Sequence, residues 1–344
     1  MIYIGMDISS KSFVVHAVDG KKRRIFKGEI LPSRAGIKNL IKELGSHRKL
    51  VVFEAGNQLK WVAQTLKKLE GVDIHVVHPN EIKWINQSSG KTDKIDARKL
   101  AELARADMLP RKVHIVEGTA RQLRELVSAR QTLQSKRIAL VNSIRGMMKQ
   151  EGYKLPKGFF QDPEWTDRVK RLKIGQAGKA IITSYMNSIE SLAASEQELT
   201  AQILEIEDKD VELLKSIPAI GEITSRVIKG AIDNAERFDS KRAVSKYGAL
   251  TPRIYQSGDV IHHGRINRNG RLEVRRVLLQ CAHTITRMKS YEARPLREFF
   301  ERIKRRRGKK KAVVALARKL LTVAYGVLKS QSVYNPALLV AKAV

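Results

Sequence analysis

The chain has 344 residues, 42% of them hydrophobic, and its 66 lysines and arginines against 35 acids give a net charge of +31. That length gives room for two or three domains, each with a core of its own, and excludes a single small binding module. An excess of charge this large points to a polyanionic partner: nucleic acid leads, because cations that neutralise phosphates release condensed counterions, whereas membrane attachment would need an apolar anchor of about 18 residues, and the sequence has no such run.

Cys281, the one cysteine, excludes an intramolecular disulfide, and no Cys/His cluster has zinc spacing, so any metal must be held by oxygen. The chain enters Tyr3-Ile4-Gly5-Met6-Asp7 with no signal peptide before it, and a cytoplasmic protein with no membrane partner is expected.

Residues 1 to 112 alternate short β-rich runs with helical patterns, the layout of an α/β layer domain. Strands are expected at 2–6, 13–18, 24–30, 50–53 and 74–77. The first three, joined by turns such as Asp19-Gly20, read as an antiparallel meander. Helical stretches at 37–44 and 61–69 separate the last two, as parallel strands require.

Asp7 and Glu54 each close an expected strand. Taken singly, either is an ordinary strand-end acid. In open α/β sheets, however, sites form at the strand C-terminal edge, and two parallel strands could bring the pair together. Asp93 and Asp96 stand in Gly90-Lys91-Thr92-Asp93-Lys94-Ile95-Asp96-Ala97-Arg98, which opens a helix with an apolar face at Leu100, Leu103 and Ala104. The i, i+3 spacing puts both carboxylates on one face. Capping by Thr92 and the helix dipole would explain Asp93 well and Asp96 less well. Four hard oxygen ligands from two strand ends and a helix suit two Mg²⁺ ions about 4 Å apart, the arrangement used in phosphoryl transfer.

From 119 to 151 the residues Leu123, Leu126, Arg130, Leu133, Arg137, Leu140, Ile144 and Met147 form a heptad seam with two arginines in it. A second seam, Ile189, Leu192, Glu196, Leu199, Ile203, Ile206, Asp210 and Leu213, follows a connection at 152–175. An antiparallel helical hairpin is expected, with two ordinary bundle helices as the alternative. A third, mainly helical unit opens with Ile217-Pro218-Ala219-Ile220-Gly221 and closes with a helix at 312–329. Residues 265–311 hold 17 basic and four acidic side chains, and the run RIKRRRGKKK at 302–311 holds eight basic residues in ten. Such a run is either a solvated loop or a phosphate contact.

Ile4-Gly5-Met6-Asp7-Ile8-Ser9, Phe53-Glu54-Ala55-Gly56 and Thr92-Asp93-Lys94-Ile95-Asp96-Ala97 resemble the DEDD signature of the insertion-sequence one-ten transposases and their eleven-eleven subgroup. Further along, Leu214 to Gly221, Tyr247-Gly248-Ala249-Leu250-Thr251-Pro252, Gln256-Ser257-Gly258, Gly264 to Gly270 and Arg275-Arg276-Val277-Leu278-Leu279 are similar to that family's second conserved domain. The resemblance implies a RuvC-like, RNase H-fold domain at 1–115, a coiled-coil hairpin for oligomerisation at 116–213, and a C-terminal transposase domain at 214–344. It implies Mg²⁺ held by Asp7, Glu54, Asp93 and Asp96, with Ser257 attacking the DNA backbone to form a covalent phosphoserine. Nothing local to Ser257 marks it out; a serine before Gly258 is what many turns show. The partners implied are donor and target DNA, a structured bridge RNA as guide, and further copies of the chain in a dimer or tetramer. The setting implied is the nucleoid of a bacterium or archaeon.

Nucleic-acid contacts are expected from Lys11, Arg98, Arg253, Arg265, Arg268, Arg271, Arg275, Arg276, Arg305, Arg306 and Arg307, while His262 and His263 have no assigned role. Ile217 to Thr224 also looks like a helix-hairpin-helix, in which backbone N–H groups meet a phosphate; an ordinary helix start reads equally well. A junction-resolving nuclease with no covalent intermediate is the alternative function. An actin-like kinase fits Gly5 to Ser9 but has no further glycine-rich phosphate loop, and a non-catalytic scaffold would leave the carboxylates as ordinary surface acids.

Overall fold

Ile2–Ile8, with its apolar residues alternating between two covered faces, forms β1, the central strand of a five-stranded sheet. The computed structural model describes residues 1–82, 93–257 and 260–340, and the chain divides into two compact units, Met1–Ile115 and Val116–Val344. In the first unit β2 (Phe13–Asp19) pairs antiparallel with β1, and β3 (Arg24–Ile30) pairs antiparallel with β2. β4 (Lys49–Glu54) lies parallel to β1 on its other side, and β5 (Val72–Val77) parallel to β4, giving the order β3-β2-β1-β4-β5. β1 runs two residues beyond its expected end, because Phe13 on β2 still pairs with Ile8. Asp7 therefore sits within the strand, opposite Val14.

The pleat sends alternate residues to opposite faces. Ile2, Ile4, Met6, Val51 and Phe53 pack in one cluster with Ile37 and Leu40 of helix α1 (Arg34–Glu43) and Val62 and Leu66 of α2 (Leu59–Leu66). On the other face α3 (Asp93–Arg105) packs against β1, β2 and β4. There Val52, Val77, Leu100 and Ala104 form a smaller core.

In the second unit α4 (Gly118–Gln150) and α6 (Gln176–Glu205) pair antiparallel, Leu123 and Val127 sharing a core with Ile203 at one end, Ile144 and Met148 packing with Ile182 and Met186 at the other. Their turn is a folded cap that contains α5 (Trp165–Lys170), with Phe159, Phe160 and Trp165 against the same cluster. The second long helix starts earlier than its heptad run and stops at Glu205: Ile206 is extended, and Asp208 caps α7 (Lys209–Lys215) by accepting from the Asp210 N–H at 2.8 Å. Asp210, counted in the seam by spacing, turns instead to Lys229 at 2.6 Å.

α8 (Glu222–Ile232), α9 (Lys241–Tyr247), a two-stranded hairpin of β6 (Pro252–Ser257) and β7 (Val260–Ile266), α10 (Leu272–Ile285), α11 (Arg294–Arg307), α12 (Lys309–Ser330) and α13 (Ala337–Val340) complete the chain. The buried face of α12, from Ala312 to Leu328, is the spine of this unit's core. The basic run at 302–311 is an elbow, not a loop: Gly308, at φ 80°, joins the end of α11 to the start of α12. Among the described residues, no helix is long and apolar enough to cross a membrane.

Candidate active site

The parallel register of β1 and β4 ends in the pair Met6–Phe53, so Asp7 and Glu54 come next, side by side. Gly5 pairs with Val52 in that register, and Val52 belongs to the α3-facing core. Asp7 and Glu54 lie two residues further along their strands, on that same face. Both are half-buried.

Gly5 sets the closeness of α3. A Cβ there would meet the carbonyl oxygen of Ala97 at 1.9 Å and the backbone nitrogen of Ala101 at 2.7 Å. Only a residue without a side chain lets the helix backbone lie on the strand. Tyr3, two residues before Gly5, packs with the cluster that holds Leu100 and Ala104. The helix thus runs against the strand direction, and its first turns, with Asp93 and Asp96, lie toward the Asp7 end. Asp93 opens α3, but its side chain is outside the described residues.

Asp96 presents an unsatisfied acceptor. Among the described residues its Oδ1 is buried and has no hydrogen-bond partner. An orphaned buried acceptor of this kind costs about 1–3 kcal/mol, and a hard cation would remove that cost. Asp7, Glu54 and Asp96 offer only carboxylate oxygens, which fits Mg²⁺ and not a thiophilic metal. Among the described residues no three His, Cys, Asp or Glu side chains already converge as a metal cluster. His16, opposite Gly5 on β2, shares this face. Burial first, then the charge of Arg98, lowers its pKa from the ordinary histidine value, with Glu102 opposing. The sequence reading missed both Gly5 and His16, although a glycine inside a strand is itself a sign of close backbone approach.

Ser257 is the last residue of β6 and pairs with Val260 across the hairpin. Its side chain, with those of Gln256 and His263, lies outside the described residues, as do Gly258 and Asp259 entirely. β6 and β7 pack chiefly on each other, so the hairpin forms a ribbon. Ala219, at φ 65°, turns the chain between α7 and α8. The α8 N-terminus there carries Glu222, which pairs with Lys215 at 2.7 Å and with Arg226.

Of the expected nucleic-acid contacts, Lys11, in the β1–β2 turn, and Arg98 are exposed. So are Arg253, Arg265 and Arg268 on and beside the ribbon, and Arg305, Arg306 and Arg307 at the end of α11. Arg271 is half-buried and ion-paired to Glu273 at 2.6 Å. Arg275 is half-buried on α10, while Arg276 is exposed and donates to Gln131 Oε1 at 3.4 Å.

Residues 4–152 match the model of a transposase family bearing the DEDD signature, and residues 211–297 match that of the transposase IS116/IS110/IS902 family. The chain is 26% identical to the transposase for insertion sequence element IS1111A of Coxiella burnetii, over 96% of this chain and 91% of that protein. It is 22% identical to a probable family 20 transposase of Pseudomonas aeruginosa over 97% and 98% of the two chains. A pilin gene-inverting protein of Moraxella bovis is 33% identical over 125 residues, 36% of this chain and 38% of that one.

Proposed function

The chain belongs to the IS110 family of DNA transposases, and from that premise we propose that it cuts and rejoins DNA through Ser257, with metal held by Asp7, Glu54, Asp93 and Asp96. The observation that carries the metal half is the α3 face itself: Asp7 and Glu54 at one register position and Asp96 with an orphaned Oδ1. The order β3-β2-β1-β4-β5, a meander followed by parallel strands, supports an RNase H-like, RuvC-like domain. Bound there, two Mg²⁺ ions would ease deprotonation of an attacking hydroxyl and stabilise the departing oxygen.

In this reading the Ser257 hydroxyl attacks a backbone phosphorus. The serine oxygen–phosphorus bond forms as one sugar oxygen–phosphorus bond breaks, and the sugar oxygen leaves as a hydroxyl with the proton the serine gives up. One phosphodiester replaces another, so the linkage is conserved until a second DNA hydroxyl displaces the serine. The exposed cations Lys11, Arg98, Arg253, Arg265, Arg268 and Arg305 to Arg307 hold phosphates without reading bases. A structured guide RNA would supply sequence recognition by base pairing, which suits a chain of +31 that must hold RNA as well as DNA. The α4–α6 hairpin would serve as a coiled-coil contact between copies of the chain.

The test is covalent trapping on labelled DNA that carries the ends of the element. The full chain with Mg²⁺ should leave a protein–DNA adduct on a denaturing gel, Ser257→Ala should leave none and not cut, and Asp96→Asn should bind but not cut. Cleavage by Ser257→Ala with no adduct would overturn the serine assignment in favour of a junction-resolving nuclease.

A further inference from the structure

The strand that ends at Ser257 also carries an exposed aromatic ring held in place. Tyr255 lies two residues before Ser257 on β6 and pairs across the ribbon with His262. Its side chain is 57% exposed for so large a ring. It is nevertheless seated: a Cβ on Gly264 would come within 2.9 Å of Tyr255 Cε2, so the ring lies over the glycine. Val260, 55% exposed, faces Ser257 from the other strand. Beside the ring Arg253 is exposed, and its Cβ lies 3.6 Å from where a Cβ on Gly264 would be.

We propose that Tyr255, backed by Gly264, is a stacking platform for an unpaired DNA base beside the phosphate that Ser257 attacks; the proposal rests on the reading of Ser257 given above. Two residues along a strand span about 7 Å, so with the reacting phosphate at Ser257 the Tyr255 ring is within reach of the base of a neighbouring nucleotide. A duplex offers no free base face, because its bases stack on each other. The occupant is an unstacked base, which any exchange of strands must produce at the cut. Aromatic side chains on a basic surface are how proteins hold single strands without preference for sequence, and an exposed ring beside Arg253 suits a base attached to its phosphate.

The experiment uses the full chain and a DNA duplex interrupted by a four-nucleotide gap with 5-iododeoxyuridine in it. Irradiation should crosslink the gap to Tyr255, located by peptide mass. Tyr255→Ala should weaken binding to gapped DNA about tenfold, the effect of losing roughly one stacked base, while binding to uninterrupted duplex stays the same and Tyr255→Phe binds as the parent does. Gly264→Ala, which must displace the ring, should weaken gapped-DNA binding in the same direction. A Tyr255→Ala chain that binds gapped DNA normally, or a crosslink elsewhere, overturns the platform. Ser257→Ala keeps the ring, so it should keep both the crosslink and the affinity. Failure of the serine reading would instead appear as a missing covalent adduct with Tyr255 still crosslinked.

Discussion

Replacing Gly5 by alanine places a methyl group where the Ala97 carbonyl oxygen is only 1.9 Å away. The obstacle is helix backbone and cannot swing aside, so α3 must move off β1 and take Asp93 and Asp96 with it. Overpacking of this kind costs about 1–3 kcal/mol, and displacement of the carboxylates proposed to hold metal by even about 1 Å can lower a rate about a hundredfold. Gly5→Ala should therefore lower the thermal midpoint of the full chain and nearly abolish Mg²⁺-dependent cleavage, with all four acids intact. Normal melting and normal cleavage would show that the helix is not held at this contact. At this scale the sequence revealed unevenly. Asp7 and Glu54 were legible because apolar alternation stops beside them, and Asp96 because a helix dipole alone explains it poorly. Ser257 had no local signal at all, and Tyr255 became notable only once the pairing of β6 with β7 set its ring over Gly264.

Heptad spacing located α4 to within a residue but ran the second seam past its true end, because spacing alone cannot see that Asp208 caps a new helix. It also left open what the seam charges do. Glu196, 7% exposed, accepts from Arg137 Nε at 3.0 Å and lies 3.3 Å from Arg130 Nη2, while Thr200 accepts from Arg130 Nε at 2.7 Å. The seam arginines are thus satisfied inside the hairpin, midway between its two apolar ends. Removing the acid leaves two cations on α4 aimed at α6 with no anion between them. Because both arginines keep some solvent, the cost falls below that of a fully buried pair, to about 1–3 kcal/mol. Glu196→Ala should shift the denaturant midpoint accordingly, and Glu196→Gln, which retains a hydrogen-bond acceptor, by less. An unchanged midpoint in both would mean that apolar packing at the two ends holds the hairpin by itself.

Across the whole molecule, the net charge of +31 is not spread evenly. Its densest part is the α11–α12 elbow, where Arg305, Arg306, Arg307, Lys309 and Lys310 are all exposed. Three of these end α11, where cations complement the helix dipole, but Lys309 and Lys310 open α12, where the dipole is unfavourable to them. A fold optimised for its own stability would not place lysines there; the arrangement is favourable once a phosphate lies at the α12 N-terminus between them. Each cation neutralising a phosphate contributes about 0.9 to the slope of log K against log salt concentration. Changing Arg305, Arg306 and Arg307 together to glutamine should therefore flatten that slope by roughly 2 to 3, measured by anisotropy on duplex DNA over a salt series. Melting should hardly change, since none of the three is buried. If the slope stays the same, the elbow's charge is solvated and the phosphate contacts lie elsewhere, with the ribbon arginines Arg253, Arg265 and Arg268 next to be tested in the same way.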